Sequence, residues 1–356
     1  MATSPGAMGV LQIEPTDHCN LACRMCAPHA ESWDTVHGVP KGYLDPTLYE
    51  RIIDGLVAEG CAFDHLILQW LGDPSLHPQL ERLVAGAGRL AGRLGYLRFD
   101  TNALVLTPER WERLLAGRAR DLPLLVVFTV DAATPGTYER VKGRDGLARA
   151  RRHIRYLLAR RDAGLNVQVQ FVVQPENAAE AGEFLRYWTD ALGCHGAGRG
   201  FSEILFKPLS VAGGGAGQAA ADALYRATLE RFEIVGLERS DFAVRVWEDR
   251  PWQRDDAHTS RSACPGLWFT PVVRQDGHLL MCCADLHGGL DLGSLAEQGF
   301  RELWEGERAT RIRMEHLEGR FEGPCRDCGG GNWYALREAD VAGARARADR
   351  KSTRLN

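Results

Sequence analysis

The sequence predicts an α/β protein, a partial (β/α)6 barrel followed by a small α+β unit built around cysteines. Three observations carry this. From residue 8 to about 210, short β-type runs alternate with amphipathic stretches of helical length, the pattern of parallel strands joined by helical crossovers. Those runs are mostly apolar, as strands covered on both faces are. A hairpin signal at Gln275-Asp276-Gly277 then stands among widely spaced cysteines, beyond a glycine-rich break at Gly213-Gly214-Gly215.

The first strand is read over 9–14 and is followed by a loop bearing Cys19, Cys23 and Cys26. Helices over 46–60, 78–93, 108–117, 145–163 and 176–192 separate strands over 66–71, 96–100, 124–130, 167–173 and 203–209. Asn177, just past Pro175, is the expected cap of the last of these helices. Six strands with no evident seventh imply a barrel that stays open. Residues 8–212 are assigned to the barrel, 213–263 to a connecting helical segment with a helix near 220–236, 264–335 to the second unit, and 336–356 to a C-terminal helix and tail. In such barrels the C-terminal strand ends form the site, which is where Cys19 to Cys26 fall.

The formal charge of −4, from 43 basic and 47 acidic residues, creates no field that would draw in nucleic acid or an anionic membrane. No apolar run reaches 18 residues, and the first residues lack the basic and apolar regions of a signal peptide. A cytoplasmic location is expected. Ten cysteines in such a chain argue for metal binding or redox chemistry over disulfides.

Cys19, Cys23 and Cys26 form a C-x3-C-x2-C array. A [4Fe-4S] cluster usually takes four cysteines, so three thiolates imply an iron kept open for a ligand that is not protein. Zinc closed by His18 or His29 is the alternative. Cys264, Cys282, Cys325 and Cys328 form a second set, C-x17-C-x42-C-x2-C, able to saturate one cluster or to hold a zinc staple.

The first array, directly behind a strand, resembles that of the radical S-adenosylmethionine (radical SAM) enzymes. The second set, with its Asp-Gly turn, Gly293 and the run Phe300-Arg301-Glu302-Leu303-Trp304, resembles their twitch (SPASM-like) auxiliary-cluster domain. The resemblance implies a TIM-like partial barrel and two [4Fe-4S] clusters, one on Cys19, Cys23 and Cys26 and one on Cys264, Cys282, Cys325 and Cys328. It also implies S-adenosyl-L-methionine on the open iron and an external electron donor of flavodoxin or ferredoxin type. Leu71-Gly72-Asp73-Pro74 resembles the GGEP-type loop that meets the methionine amino group, with Leu71 and Asp73 departing from it. Asp100-Thr101-Asn102-Ala103 resembles the TNG segment, and Thr129-Val130-Asp131 the ribose-side S-x-D segment. Gly72, Asp73, Asn102, Thr129 and Asp131 are therefore expected cofactor contacts. Gln168, Gln170 and Gln174 share one parity, so they either face the barrel interior or are satisfied core amides; Gln170 joins the cofactor candidates. Arg140 and Lys142 could each reach a cofactor carboxylate, but basic residues near a helix end are usually solvated, and only Arg140 is kept as a weaker candidate.

In the family, cleavage of S-adenosylmethionine gives a 5′-deoxyadenosyl radical that takes a hydrogen from an unactivated carbon. If the second cluster then removes an electron, an alcohol becomes a ketone. If a thiol returns a hydrogen from the opposite face, the carbon is inverted. Cys61, Cys194 and Cys283 lie outside both ligand sets. Cys61 and Cys194 fall on the face away from the site, whereas Cys283 neighbours Cys282 on a strand where successive side chains alternate. Cys283 is the expected hydrogen donor and Cys194 the alternative. The sequence thus predicts an epimerase for a sugar or aminoglycoside-like natural product. A dehydrogenase of the same substrate class follows, then a peptide maturase, for which the 18 residues before Cys19 leave no leader-recognition domain. A non-catalytic metal scaffold is the reading from another class. Glu248, Asp249 and Asp285 are acids able to meet a cationic amino sugar.

Overall fold

The computed structural model describes residues 8–26, 35–36, 38–193, 199–211, 215–247, 263–326, 328 and 334–352. The chain starts with β1 (Val10–Ile13) and a small hairpin of β2 (Thr35–Val36) and β3 (Val39–Pro40). Then come α1 (Pro46–Ala58), β4 (Phe63–Ile67), α2 (Leu80–Ala87), β5 (Leu94–Thr101), α3 (Pro108–Gly117) and β6 (Leu124–Thr129). Two helices, α4 (Pro135–Lys142) and α5 (Leu147–Leu158), lead to β7 (Leu165–Val173), α6 (Ala181–Leu192) and β8 (Ser202–Pro208).

Local chemistry fixes many of these ends. Asp45 caps α1 by accepting from the Thr47 and Leu48 N–H groups, with Pro46 at the first helical position. In α4, Thr134 caps, Pro135 starts and Gly143 stops the helix at φ +80°. This helix was not anticipated, although its signals are all in the sequence. Asn177 does not cap a helix by its side chain. Its amide donates to the Asp131 and Val172 carbonyls and accepts from the Gln174 N–H, tying two strand ends together.

The six expected strands pair in parallel, in the order β1, β4, β5, β6, β7, β8. Both edges are then extended. After α7 (Gly215–Arg231), β9 (Leu237–Glu238) precedes β10 (Phe242–Val246), a seventh parallel strand that pairs with β8 inside the segment expected to be helical. On the other side, beyond α8 (Gly266–Phe269), β11 (Val272–Val273) pairs in parallel with β1 and antiparallel with β12 (His278–Leu280), which β13 (Asp291–Ser294) follows. The Gly277 turn lies at φ +85°, as an Asp-Gly hairpin requires. Helices α9 (Phe300–Trp304), α10 (Glu307–Leu317) and α11 (Glu338–Ser352) complete the second unit and the tail.

The sheet is an open barrel of α/β type, as expected. Its helix side holds the core. Phe99 stacks on Trp111 of α3, and Phe171 and Phe206 pack against Phe184 of α6. Burying such side chains stabilises the fold by roughly 1.5–3 kcal/mol each. The alternation of a strand therefore turns Arg98, Asp100, Gln168, Gln170, Glu203 and Lys207 toward the barrel interior. No helix among the described residues is long and apolar enough to cross a membrane.

Candidate active site

The cysteine loop leaves the C-terminal end of β1 and is held on two sides. The Ala22 and Arg24 N–H groups donate to the Lys142 and Val141 carbonyls, at 3.1 and 3.3 Å. The Asp73 N–H donates to the His18 carbonyl at 2.9 Å. Gly72 is required there, since a Cβ at that position would stand 2.1 Å from the Thr16 carbonyl oxygen. Burial, then the nearby Asp73 and the charges of Cys23 and Cys26, push the Cys19 thiol up to about 12. Burial raises Cys23 too, against the opposing pull of the Lys142 ammonium. Among the described residues no three such side chains close on one ion position. The three thiols nevertheless share one loop within mutual electrostatic reach, and half-buried thiols that ionise poorly in water give up their protons to iron.

Behind the loop lie two buried carboxylates. Asp73 accepts from the Ser75 N–H (2.9 Å) and hydroxyl (2.5 Å), the Thr101 hydroxyl (2.9 Å) and the Asn102 N–H (2.8 Å). It therefore welds the β4 loop to the end of β5. Asn102 in turn donates to the Asn20 side chain at 2.7 Å, beside Cys19. Asp131, at φ +57°, accepts from Lys142 Nζ at 2.5 Å and from the Val172 N–H at 2.7 Å. Lys142 is thus a buried partner of Asp131, contrary to the solvated role expected of it, whereas Arg140 is exposed and bonds Thr137 of its own helix. Thr129 ends β6 opposite Gln170.

The three glutamines are buried, and the interior they face is polar. Gln170 donates to Gln168 at 2.6 Å and Gln168 donates to Glu203. Gln174 Nε2 lies 3.7 Å from Met25 Sδ, next to Cys26. Arg98 grips Asp100 through two contacts of 2.7 Å. Arg245 of β10 lies between Glu203 and Glu238, and His65 stacks on Tyr96 with centroids 4.5 Å apart. Arg98, Asp100 and Glu203 side chains are 24, 15 and 16% exposed, so this interior is lined and open rather than packed shut. Sequence reasoning missed Arg98, Glu203 and Arg245, yet Arg98 and Glu203 carry the signal of a charge inside an apolar strand.

Near the second set Cys283 joins the expected Cys264, Cys282 and Cys328. Cys282 and Cys283 lie beyond the end of β12, where strand alternation no longer applies. Their thiols contact each other, and Cys283 is within electrostatic reach of Cys264 and Cys328. The Cys282 contact pulls the Cys283 thiol below its ordinary value. Cys283 therefore lies beside the second set, and its carbonyl accepts from Trp70 Nε1 at 2.9 Å. Cys325 ends a short turn next to Cys328. Cys61 is packed in the core, as expected, and Cys194, Glu248 and Asp249 lie outside the described residues. Asp285 is buried and accepts the Gly289 and Leu290 N–H groups, so it shapes a turn.

Residues 13–187 match the model of the radical SAM superfamily, and residues 264–329 that of the SPASM iron-sulfur cluster-binding domain. The chain carries a radical SAM domain followed by a SPASM domain. That marks an enzyme using a [4Fe-4S] cluster and S-adenosylmethionine, with auxiliary cluster binding in the SPASM domain. GTP 3′,8-cyclase of Synechococcus sp. (strain CC9902) is 33% identical over 142 residues, covering 39% of this chain and only 36% of that protein's length. Among solved structures, anSMEcpe with bound AdoMet superposes with a TM-score of 0.59 at 15% identity over 97% of this chain and 98% of that one. SuiB of Streptococcus suis bound to S-adenosylmethionine gives 0.59 at 13% identity over 92 and 73%. At such identities these two likenesses speak for the fold alone.

Proposed function

We propose that this radical SAM SPASM enzyme oxidises a hydroxyl-bearing carbon of a small sugar or aminoglycoside-like molecule held inside the barrel. The observation that carries the reading is the polar character of the barrel interior beneath the cysteine loop, in two patches: Arg98 with Asp100 on β5, and Gln168, Gln170 and Glu203 on β7 and β8, with Val127 of β6 between them. Cys19, Cys23 and Cys26 would hold the first cluster, and Gly72, Asn102, Thr129 and Gln170 border the space for S-adenosylmethionine. When bound, that pair supplies hydrogen-atom abstraction from an unactivated carbon. Asp73 and Asp131 act behind it, fixing the β4 loop and the β6 end.

Oxidation is preferred to the inversion expected from the sequence because of where the thiols lie. Cys283 joins the second set, and among the described residues no cysteine outside the two sets faces the barrel interior. Asp100 and Glu203 are the interior carboxylates positioned to take the hydroxyl proton, and the second thiol set would hold the electron acceptor. The test is product analysis with anaerobically reconstituted enzyme, reductant, S-adenosylmethionine and a panel of cyclitols and amino sugars in deuterated water. A ketone two mass units lighter is expected. An inverted carbon bearing one solvent deuterium would refute oxidation and restore a thiol donor.

A further inference from the structure

Each ionised group in the central layers of the barrel interior has an opposite charge already in contact. Arg98 and Asp100 form a two-point pair at 2.7 Å. Arg245 stands 3.4 Å from Glu203 and 3.0 Å from Glu238. His65, packed against Tyr96 at the barrel floor, is uncharged at neutral pH because burial lowers its pKa to about 4. Lys207 sits one layer nearer the rim, its ammonium 5.4 Å from the Trp247 ring. The pairs also see one another, since Tyr96 feels Arg98, Asp100 and Glu203 together. They therefore border one space and not three separate corners.

We infer that this ladder of Arg98, Asp100, Gln168, Gln170, Glu203 and Arg245 is a recognition site for a polyhydroxylated ring without anionic groups and discriminates against phosphorylated or polyanionic molecules. The claim rests on the barrel-interior reading above and names the ligand class of that site. A hydroxyl both donates and accepts, so it can use the spare lone pairs of Asp100 and Glu203 and the amides of Gln168 and Gln170 without breaking either ion pair. A phosphate can only accept at neutral pH. It would have to draw Arg98 or Arg245 away from a carboxylate and leave that carboxylate unpaired in a half-buried site, which is costly. A nucleoside triphosphate such as that named for the cyclase relatives meets this obstacle three times over.

Equilibrium dialysis of the reconstituted wild-type enzyme with myo-inositol, myo-inositol 1-phosphate and GTP tests this without any turnover. Myo-inositol should bind at least about tenfold tighter than either phosphorylated probe. Glu203→Gln frees Arg245 from one carboxylate, and Asp100→Asn removes the carboxylate in contact with Arg98. Each should tighten myo-inositol 1-phosphate by about tenfold while weakening myo-inositol. Two variants at opposite sides of the barrel guard against one of them failing to fold. Tighter binding of GTP or of the inositol phosphate to wild type, or no binding of myo-inositol at all, overturns the inference. Polyol binding without ketone formation supports it and refutes only the proposed oxidation.

Discussion

Replacing Lys142 by methionine keeps the length of the side chain and removes its ammonium, leaving Asp131 buried without its cation. Lys142 is 2% exposed and Asp131 1%, so water cannot take over. Breaking a buried pair by removing one partner typically costs about 3–5 kcal/mol. For a chain of this size that lowers the melting temperature by roughly 6–10 °C, taking on the order of 2 °C per kcal/mol. Asp131 keeps the Val172 N–H, and neutralising it in Lys142→Met/Asp131→Asn should recover more than half of the loss, because asparagine tolerates the positive φ. Asp131 pulls the lysine pKa above its ordinary 10.5 in spite of burial. The pair's contribution is therefore complete below that value and lost only above it, so the difference between wild type and variant should stay flat from about pH 6 to 9. Calorimetry under anaerobic conditions at three pH values is the assay. A single-variant loss under about 1 kcal/mol, or a double variant no better than the single, would refute the buried pair.

Three further outcomes are expected. Glu14 is buried, accepts the Leu71 N–H at 2.8 Å, and burial lifts its carboxyl from 4.5 to about 8; its contribution is present at low pH and fades as pH rises through that window. Urea midpoints at about pH 5, 6.5 and 8 should therefore fall more steeply for wild type than for Glu14→Gln, and equal slopes would count against it. Asp73→Ala strands the donors of Ser75, Thr101 and Asn102, so stability should drop by about 1–3 kcal/mol and S-adenosylmethionine retention on dialysis should fall; unchanged retention would separate this carboxylate from the cofactor site. The combined Cys19→Ala, Cys23→Ala and Cys26→Ala chain should keep roughly half the wild-type iron and sulfide, the part owed to the second set, and full iron would show that the first loop binds none.

The strand order of the barrel and the hairpin of the second unit were legible because apolar runs and the Asp-Gly turn are local signals. The seventh strand was not, since Phe242 to Val246 is a short alternating run at an edge, behind a glycine-rich break that reads as a linker. The two domains that carry the cysteine sets were legible from their spacing. The direction of Cys283 was not, because the alternation argument assumed that β12 reaches it, and the strand stops at Leu280. Burial of Lys142 depends on Asp131, eleven residues away across a loop, and nothing in the helix sequence around Lys142 reveals it. The interior pairs join β5 with itself and β8 with β10, contacts that exist only once the register of the sheet is set.

The first strand has no free edge. β4 lies on one side of β1, and on the other the Gln12 and Glu14 N–H groups donate to the Pro271 and Val273 carbonyls at 2.9 and 2.8 Å. A barrel cut off before Cys264 would strip that row of donors and also uncover Trp70, which packs on Val272 and Leu280. Naked strand edges with apolar surface beside them recruit other chains. The SPASM unit is thus also the barrel's guard against self-association, and separating the two should yield insoluble halves and not two working pieces.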